Sequence, residues 1–349
     1  MVCCGLRLAR FFESFNYLFY MNNWQYFMVR SSVFFLSLLC GWMGSVHAQT
    51  YPSKPIHLVI PFSSGGASLD TVARLIGTRM SEGLSQPIIV DNRPGANGMI
   101  GSQSVARTAA DGYTLLFTST STHVTAVFLS KSLPYDPVKD FTPISAAVEP
   151  VTVIAVHPSV PAQTVAQLME YAKKNPGKLS YSSSGIGSVF HLTGELLKQA
   201  AGIDMVHVPY KVNQQSVTDA VSGRIDVLLN TVLIALPQTK AGKLRMLAVM
   251  EGRRFSGLSD VPTIGETLKG FEKPSSWFGY FGPAGLPPPI VARLHGEIVK
   301  ALGHPEVRAR LEEVGMSVIG NTPEEFALLM KRGFDVYGRA VKLAGVEPE

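Results

Sequence analysis

Two loops rich in serine and glycine carry the residue types best suited to binding an anion. One covers residues 63–70 and the other covers residues 182–188, and each lies between an apolar strand pattern and a helical pattern. Glycine lets backbone N–H groups approach a ligand, hydroxyl groups donate further hydrogen bonds, and a helix N-terminus carries about half a positive charge. The loops therefore predict an anion site built without lysine or arginine.

Further polar residues follow other predicted strands. Residues 118–122 are five consecutive serines and threonines after a third strand, and Tyr210, Lys211 and Asn230 follow strands later in the chain. The carboxyl ends of strands in an α/β sheet are where ligands bind. These residues therefore complete a predicted cleft between two lobes.

Several of these residues also have an ordinary structural interpretation. For Asp70 we favour a helix cap, and for Lys211 a solvated side chain. Trp277 and Phe278 lie in a strand pattern, where aromatic side chains usually pack in a core or at a hinge.

Enzyme signatures are missing from the sequence. It has no phosphate-binding loop with Gly-Lys-Ser/Thr, no Gly-x-Ser-x-Gly elbow and no His-Glu-x-x-His motif. His123 and His191 follow candidate loops, but neither has an evident nucleophile and acid as partners. We expect neither catalysis nor a metal or cofactor, and a hydrolase around His191 is kept as the less favoured alternative.

The elements that must position these loops alternate between strand and helix, which is typical of an α/β fold. The alternation runs to about residue 149, starts again at Val151 and ends in a helical C-terminal portion. That portion has too few strands to form a domain by itself. We therefore predict two lobes crossed twice by the chain, with residues 49–148 and 271–349 in lobe 1 and residues 149–270 in lobe 2.

The N-terminal residues 1–48 read as a secretory signal peptide. A basic residue at Arg30, a short apolar run and a small residue at Ala48 predict cleavage after Ala48. Met21 or Met28 is an alternative start, which would make residues 1–27 a spurious extension. A lipoprotein anchored at Cys40 is disfavoured because Leu39 precedes it.

Composition excludes other classes of protein. The chain has 349 residues with 46% hydrophobic and 16% charged content, which is too apolar for a disordered protein. Its formal charge of +5 does not call for a nucleic-acid partner. All three cysteines lie in the predicted signal segment, so the mature chain is expected to have no disulfide.

Several uncommon strings occur in the order in which one receptor family has them. They are Tyr51-Pro-Ser-Lys-Pro-Ile56, Asn92-Arg-Pro-Gly-Ala-Asn-Gly98, Ala110-Asp-Gly-Tyr-Thr-Leu115, Tyr135-Asp-Pro-Val-Lys-Asp-Phe141, Gly185-Ile-Gly-Ser-Val-Phe-His191 and Val208-Pro-Tyr-Lys211. The chain resembles the extracytoplasmic solute receptors of tripartite tricarboxylate transporters, also called the Bug family. The resemblance runs over essentially the whole mature chain.

The resemblance implies a two-lobed periplasmic binding protein of type II, the Venus-flytrap type. Such a receptor holds a small carboxylated solute between its lobes and presents it to the membrane permease subunits of a tripartite transporter. With the strand-end residues above, the candidate ligand-binding residues are Ser63, Ser64, Gly66, Ala67, Ser68, Asp70, Ser121, Thr122, Ser184, Gly187, Ser188, His191, Tyr210 and Asn230. Val212 stands where the family usually has glycine. The shape of the second-lobe side of the cleft, and hence the identity of the ligand, is therefore not defined by the resemblance.

Binding is expected to stabilise a closed form, since the solute contacts both lobes only there. A sensor that passes the closed state to a signalling protein is the alternative from another class. We expect a monomer. The sequence leaves dicarboxylates, citrate-like acids, acidic amino acids and aromatic carboxylates as candidate solutes.

Overall fold

The computed structural model describes residues 51–64 and 68–348. The predicted signal peptide, its cleavage site after Ala48 and all three cysteines lie outside the described residues, as do Gly66 and Ala67 of the first loop. Among the described residues, no helix combines the length and the apolar character that crossing a membrane requires.

The first sheet has six strands in the order β11-β4-β10-β3-β1-β2. Strand β1 is parallel to β2 and β3, whereas β10 is antiparallel to β3 and β4, and β11 is antiparallel to β4. The strands are β1 (Ile56–Ile60), β2 (Ile88–Asn92), β3 (Thr114–Ser119), β4 (Phe141–Pro150), β10 (Phe278–Pro283) and β11 (Met316–Val318).

The second sheet has five strands in the order β7-β6-β8-β5-β9. Strand β6 is parallel to β7 and β8, and β5 is antiparallel to β8 and β9. The strands are β5 (Thr152–Val156), β6 (Ser180–Ser183), β7 (Val206–Pro209), β8 (Val227–Thr231) and β9 (Arg245–Val249).

Helices cover both sheets. In the first lobe they are α1 (Ser68–Leu84), α2 (Met99–Ala106), α3 (Ala126–Leu129), α9 (Pro288–Gly303), α10 (Pro305–Glu313) and α11 (Pro323–Ala344). In the second lobe they are α4 (Val165–Lys174), α5 (Val189–Ala201), α6 (Asn213–Val221), α7 (Val232–Lys240) and α8 (Ile264–Thr267). A capping box of Thr322 and Glu325 begins α11, with Pro323 as the first helical residue.

Each sheet is buried on both faces because its strands alternate between two apolar clusters. In β5, Ile154 and Val156 enter one cluster, whereas Val153 and Ala155 enter the other. Successive side chains of a strand point to opposite faces, so a fully apolar strand indicates cover on both sides. Burial of both faces of the sheets is thus the physical cause of the near-continuous apolar runs in the sequence.

Alternation of strands and helices favours a purely parallel sheet, but both sheets are mixed. Strand β10 enters the first sheet antiparallel between β3 and β4, and β5 is antiparallel within the second. The sequence pattern also missed β4 and the short β11. Two prolines and several small residues obscure the strand pattern of β4, although Ile144 and Val148 are fully buried.

The two sheets adjoin at consecutive strands. Strand β4 of the first sheet ends at Pro150, and β5 of the second begins at Thr152. Helix α5 also packs against α11, and Leu192 and Leu196 of α5 share an apolar cluster with Trp277 of the first sheet's return segment. Residues of both lobes therefore share one buried core beside the loops of interest.

Candidate binding cleft between the two sheets

A cavity of about 340 Å³ is lined by residues that belong to both sheets. The first sheet and its helices contribute Ser119, Thr120, Ser121, Thr125, Pro150, Ser276, Phe278 and Tyr337. From the second sheet and its helices come Thr152, Gly187, Ser188, Val189, Phe190 and Thr231. The cleft therefore has a polar part made of hydroxyl groups and an apolar part made of Pro150, Val189 and aromatic side chains.

The first wall is formed where β3 ends in a single π-helical turn, Ser121–Thr125. The hydroxyl groups of Ser119 and Ser121 lie 2.7 Å apart at the cleft. Thr122 is fully buried behind them, where its hydroxyl lies 2.7 Å from that of Thr118 and 2.9 Å from His123 Nδ1. Of the hydroxyl run, Ser119, Thr120 and Ser121 thus lie at the cleft, and Thr122 supports the turn from inside.

The second wall is the N-terminus of α5. Ser188 is the N-cap residue, and its hydroxyl accepts a hydrogen bond from the backbone N–H of His191 at 3.3 Å. Val189 and Phe190 are the first two helical residues, whose N–H groups have no acceptor within a helix. Because this end of the helix lies at the cleft, its dipole favours an anion there.

The two walls contact each other at Gly187. An added Cβ at this residue would lie 2.8 Å from Leu129 Cδ1 of α3. Gly187 also has a φ of 74°, a left-handed conformation that favours glycine. Glycine thus allows a second-lobe loop to lie directly on a first-lobe helix.

The flanks of the first glycine loop are held by Asp70 and Asn92. The Asp70 carboxylate accepts hydrogen bonds from Arg74 at 3.1 and 3.2 Å and from Asn92 Nδ2 at 3.0 Å. Asn92 Nδ2 also donates to the carbonyl of Phe62 at 3.0 Å. Asp70 lies in the first turn of α1 rather than at the N-cap position that we favoured. Through Asn92, the carboxylate links the first turn of α1 to Phe62 at the other end of the loop.

The other predicted residues of the first loop lie at its ends. Ser63 and Ser64 are exposed before the gap in the described residues, and Ser68 is the first residue of α1. Neither Ser63 nor Ser64 is among the cleft residues given above. Ser63 and Ser64 follow Phe62 directly, so the carbonyl bonded to Asn92 marks where this exposed segment begins.

Three predicted residues of the second lobe lie behind or beside the cleft surface. The Tyr210 hydroxyl donates to Asp219 at 2.9 Å, and burial together with this carboxylate raises the pKa of Tyr210 to about 12. Asn230 is buried on β8, where its side-chain oxygen accepts the N–H of Thr231 at 2.9 Å. Ser184 is exposed on the loop. Thr231 rather than Asn230 reaches the cleft.

His191 is buried beneath the loop that forms the second wall. Its Nδ1 accepts the backbone N–H of Gly187 at 3.1 Å, and its ring stacks on His207. Among the described residues, no side-chain nucleophile is hydrogen-bonded to the ring of His191. That arrangement gives the hydrolase alternative no support.

No charged side chain is among the described residues that line the cleft. The nearest ionic groups along the chain form a buried cluster where the two sheets adjoin. Lys273 Nζ lies 2.6 Å from Glu149 Oε1 and 3.4 Å from Glu251 Oε1, and Glu251 Oε1 also accepts the N–H of Thr152 at 2.8 Å. Burial raises the pKa of Glu251, while the two carboxylates raise that of Lys273 against the opposing effect of burial.

Several cleft residues were not identified from the sequence. Thr125, Thr152, Thr231, Ser276 and Tyr337 are single residues on five different elements or connections. No local motif marks them. Phe278 lies at the cleft instead of only in a core, whereas Trp277 is fully buried against Phe326, as we favoured. Among the described residues, no cluster of three or more histidine, cysteine or acidic side chains could hold a metal ion.

Comparison with known proteins identifies the family. The family model described as "Tripartite tricarboxylate transporter family receptor" matches residues 72–345. The chain belongs to this family. The match covers the second sheet, every strand of the first sheet except β1, the start of α5 and the junction between the sheets, so the resemblance seen in the sequence is confirmed.

Individual relatives extend over most of the chain. A UPF0065 protein in the tcbD-tcbE intergenic region of Pseudomonas sp. (strain P51) is 39% identical over 285 residues, which are 81% of this chain and 84% of that protein. An R. palustris protein solved with adipate is 34% identical, with a TM-score of 0.69, and the match covers 86% of this chain and 100% of that one. MatC from Rhodopseudomonas palustris, solved with bound malate, is 32% identical, with a TM-score of 0.64, and the match covers 83% and 100%. These structures confirm the two-lobed α/β fold.

Proposed function

We propose that this receptor binds a small carboxylate between its two sheets and delivers it to the permease subunits of a tripartite transporter. The observation that carries the proposal is a cleft lined by neutral hydroxyl groups and by the start of α5. Peptide and hydroxyl dipoles stabilise a carboxylate in such a place without a salt bridge. The solutes of two related structures, adipate and malate, agree with this chemistry.

The cleft also favours a hydrocarbon segment in the solute. Val189 and Phe190 on one wall and Phe278 and Tyr337 on the other are apolar surfaces beside the hydroxyl groups. Burying the hydrocarbon part of a ligand on such surfaces contributes roughly 25 cal/mol for each Å² removed from water. We therefore place adipate-like and aromatic carboxylates ahead of citrate-like acids.

The receptor's location follows from the same proposal. Members of the family are receptors that serve a membrane transporter. Export through the predicted signal peptide, with cleavage after Ala48, would place the mature chain in the periplasm. Closure on the solute would then present one defined form of the receptor to the permease.

Titration calorimetry at pH 7.5 tests the ligand class. We expect adipate or benzoate to bind the receptor, and we expect hexane-1,6-diol, which matches the carbon chain of adipate without its charges, to show no heat of binding. Small-angle scattering with saturating ligand should show compaction, because the solute contacts both lobes in the closed form. Equal binding of adipate and the diol would contradict the proposal, as would no binding by any of adipate, malate, benzoate and citrate.

A further inference from the structure

Two stacked histidines lie beneath the loop that forms the second wall of the cleft. His191 on α5 and His207 on β7 have ring centroids 3.9 Å apart and an interplanar angle of 14°. His191 is buried, and His207 is half-buried. The loop between β6 and α5 includes Gly187 and Ser188, which line the cleft.

His191 holds the C-terminal end of this loop. Its Nδ1 accepts the backbone N–H of Gly187 at 3.1 Å. An imidazole nitrogen accepts a hydrogen bond only when it carries no proton, so the ring must be neutral with its proton on Nε2. Protonation of Nδ1 would replace this acceptor with a second donor facing the N–H of Gly187.

His207 holds the N-terminal end of the same loop. Its Nε2 lies 2.7 Å from the hydroxyl oxygen of Ser183, which in turn accepts the backbone N–H of Gly185 at 3.2 Å. The Ser183 hydroxyl also lies 3.1 Å from the carbonyl of Gly185. The two rings therefore fix the backbone at both ends of the loop, one directly and one through a serine.

We propose that His191 is a positioning residue for the binding cleft and that the stacked pair His191–His207 makes the cleft wall sensitive to acid. The inference rests on the proposed function, because the loop matters through the ligand that it binds. His191 acts through Gly187 and Ser188 and does not itself contact the ligand. Two protonated rings stacked at this distance would repel each other. Acid therefore weakens the contacts by which the rings hold the loop.

The surroundings of the pair favour the neutral rings. Burial lowers the pKa of His191, and burial together with His191 lowers that of His207 to about 4. On α5, Glu195 opposes this shift and Lys198 adds to it. Glu195 is itself held by the Tyr181 hydroxyl of β6 at 2.6 Å and by Lys198 at 3.1 Å.

Among the described residues, the charged groups that shift the pKa of either ring lie on α5. Helix α11 packs against α5 and α6 packs against β6, yet among the described residues neither contributes to the lowered pKa of either ring. Asp219 of α6 is bonded to Tyr210 and Arg224 instead. With both pKa values below the usual value for histidine, the neutral form and full affinity are present at neutral pH and are lost as the pH falls through the lowered values.

Nuclear magnetic resonance of the ligand-free protein tests the device independently of any ligand. With ¹⁵N-labelled histidine we expect His191 to carry its proton on Nε2 at pH 7.5. The amide signal of Gly187 should move on acidification together with the ring signals of His191. A proton on Nδ1 at pH 7.5 would overturn the proposal, and so would a Gly187 amide that does not follow the ring.

Substitutions of His191 separate positioning from packing. In His191→Asn, the side-chain oxygen replaces Nδ1 as an acceptor that does not titrate, whereas His191→Leu provides no acceptor. We expect His191→Leu to weaken adipate binding at pH 7.5 by about five- to tenfold, the effect of one hydrogen bond. His191→Asn should bind within about threefold of the wild type.

The pH profile provides the readout that a merely structural role would not change. Between pH 7.5 and pH 4 the wild type and the control His57→Asn, an exposed residue of β1, should lose about tenfold more affinity for adipate than His191→Asn does. Titration of adipate itself affects all three proteins equally. Parallel profiles in the three proteins would overturn the proposal. Failure of the wild type to bind adipate at pH 7.5 would instead count against the proposed ligand, and the resonance experiment would still decide on the histidines.

Discussion

Gly187 is the residue on which the contact between the two walls depends. Its φ of 74° is costly for a residue with a Cβ, and that Cβ would lie 2.8 Å from the Leu129 side chain. Strain in the backbone and a clash between lobes therefore coincide at one position. Gly242 has a similar φ of 69°, but nothing lies within 4 Å of the Cβ it would gain.

The pair Gly187→Ala and Gly242→Ala distinguishes these two effects. Backbone strain should lower the free energy of unfolding by about 1–2 kcal/mol in Gly242→Ala, and Gly187→Ala should lower it further because of the clash with Leu129, which urea denaturation measures. Only Gly187→Ala should weaken adipate binding in calorimetry, by about tenfold or more, because it pushes the second wall away from Leu129. Unchanged affinity in Gly187→Ala would show that the contact between the walls does not matter for binding.

At the scale of elements, the start of α5 combines a structural and a functional role. Ser188 caps the helix by accepting the N–H of His191, and its hydroxyl also lies at the cleft. Thr164 caps α4 of the same lobe in the same manner, by accepting the N–H of Gln167. Thr164 is exposed and is not among the cleft residues, so α4 serves as a control for α5.

Ser188→Ala and Thr164→Ala should each cost about 1 kcal/mol of stability in urea denaturation, since each removes one N-cap hydrogen bond. Ser188→Ala alone should also weaken adipate binding, by about fivefold, because a hydroxyl donor at the anion is lost. An equal loss of affinity in both variants would mean that the effect reports on general stability. The hydroxyl would then have no specific role in the cleft.

For the whole molecule, the buried cluster of Lys273, Glu149 and Glu251 ties together the chain segments that join the lobes. Glu149 belongs to β4, Glu251 follows β9, and Lys273 lies on the segment that returns to the first sheet. Glu149 Oε1 also accepts the N–H of Ser276 at 3.2 Å. A buried charge without its partner is strongly destabilising, so the cluster fixes where these segments meet.

Lys273→Met should lower the free energy of unfolding by about 3–5 kcal/mol, because two buried carboxylates lose their cation. Glu251→Gln should lower it by less than Lys273→Met does, because burial raises the pKa of Glu251 against its charged form and glutamine keeps an oxygen that can accept the N–H of Thr152. Lys174→Met is the matched control, because Lys174 pairs with Glu170 in an exposed ion pair, and it should have an effect of about 0.5 kcal/mol or less. Urea denaturation at pH 7.5 measures all three, and a similar small effect of Lys273→Met and Lys174→Met would contradict the role of the cluster.

The sequence by itself determined the α/β class, the return of the C-terminal portion, the two loops rich in serine and glycine, and the hydroxyl run at residues 118–122. These features are local: apolar runs, glycine at turns and a capping box at Thr322 depend on residues a few positions apart. The family followed from short strings such as residues 185–191, and the family match confirmed it. The lobe boundaries and the ligand contacts stay predictions.

Only the tertiary structure decided which hydroxyl groups share the cleft. Thr122 and Ser121 are neighbours in the chain, yet Thr122 is buried behind the turn and Ser121 lies at the surface of the cleft. Likewise, strand β10 brings Phe278 to the cleft while Trp277 beside it enters a core, because successive side chains of an extended segment point to opposite faces. Which face meets a cavity depends on partners 100 or more residues away, such as β4 and β3 for β10. A local sequence pattern does not contain this long-range information. For this physical reason the sequence predicted loops that border the cleft, but only the tertiary structure decided which side chains line it.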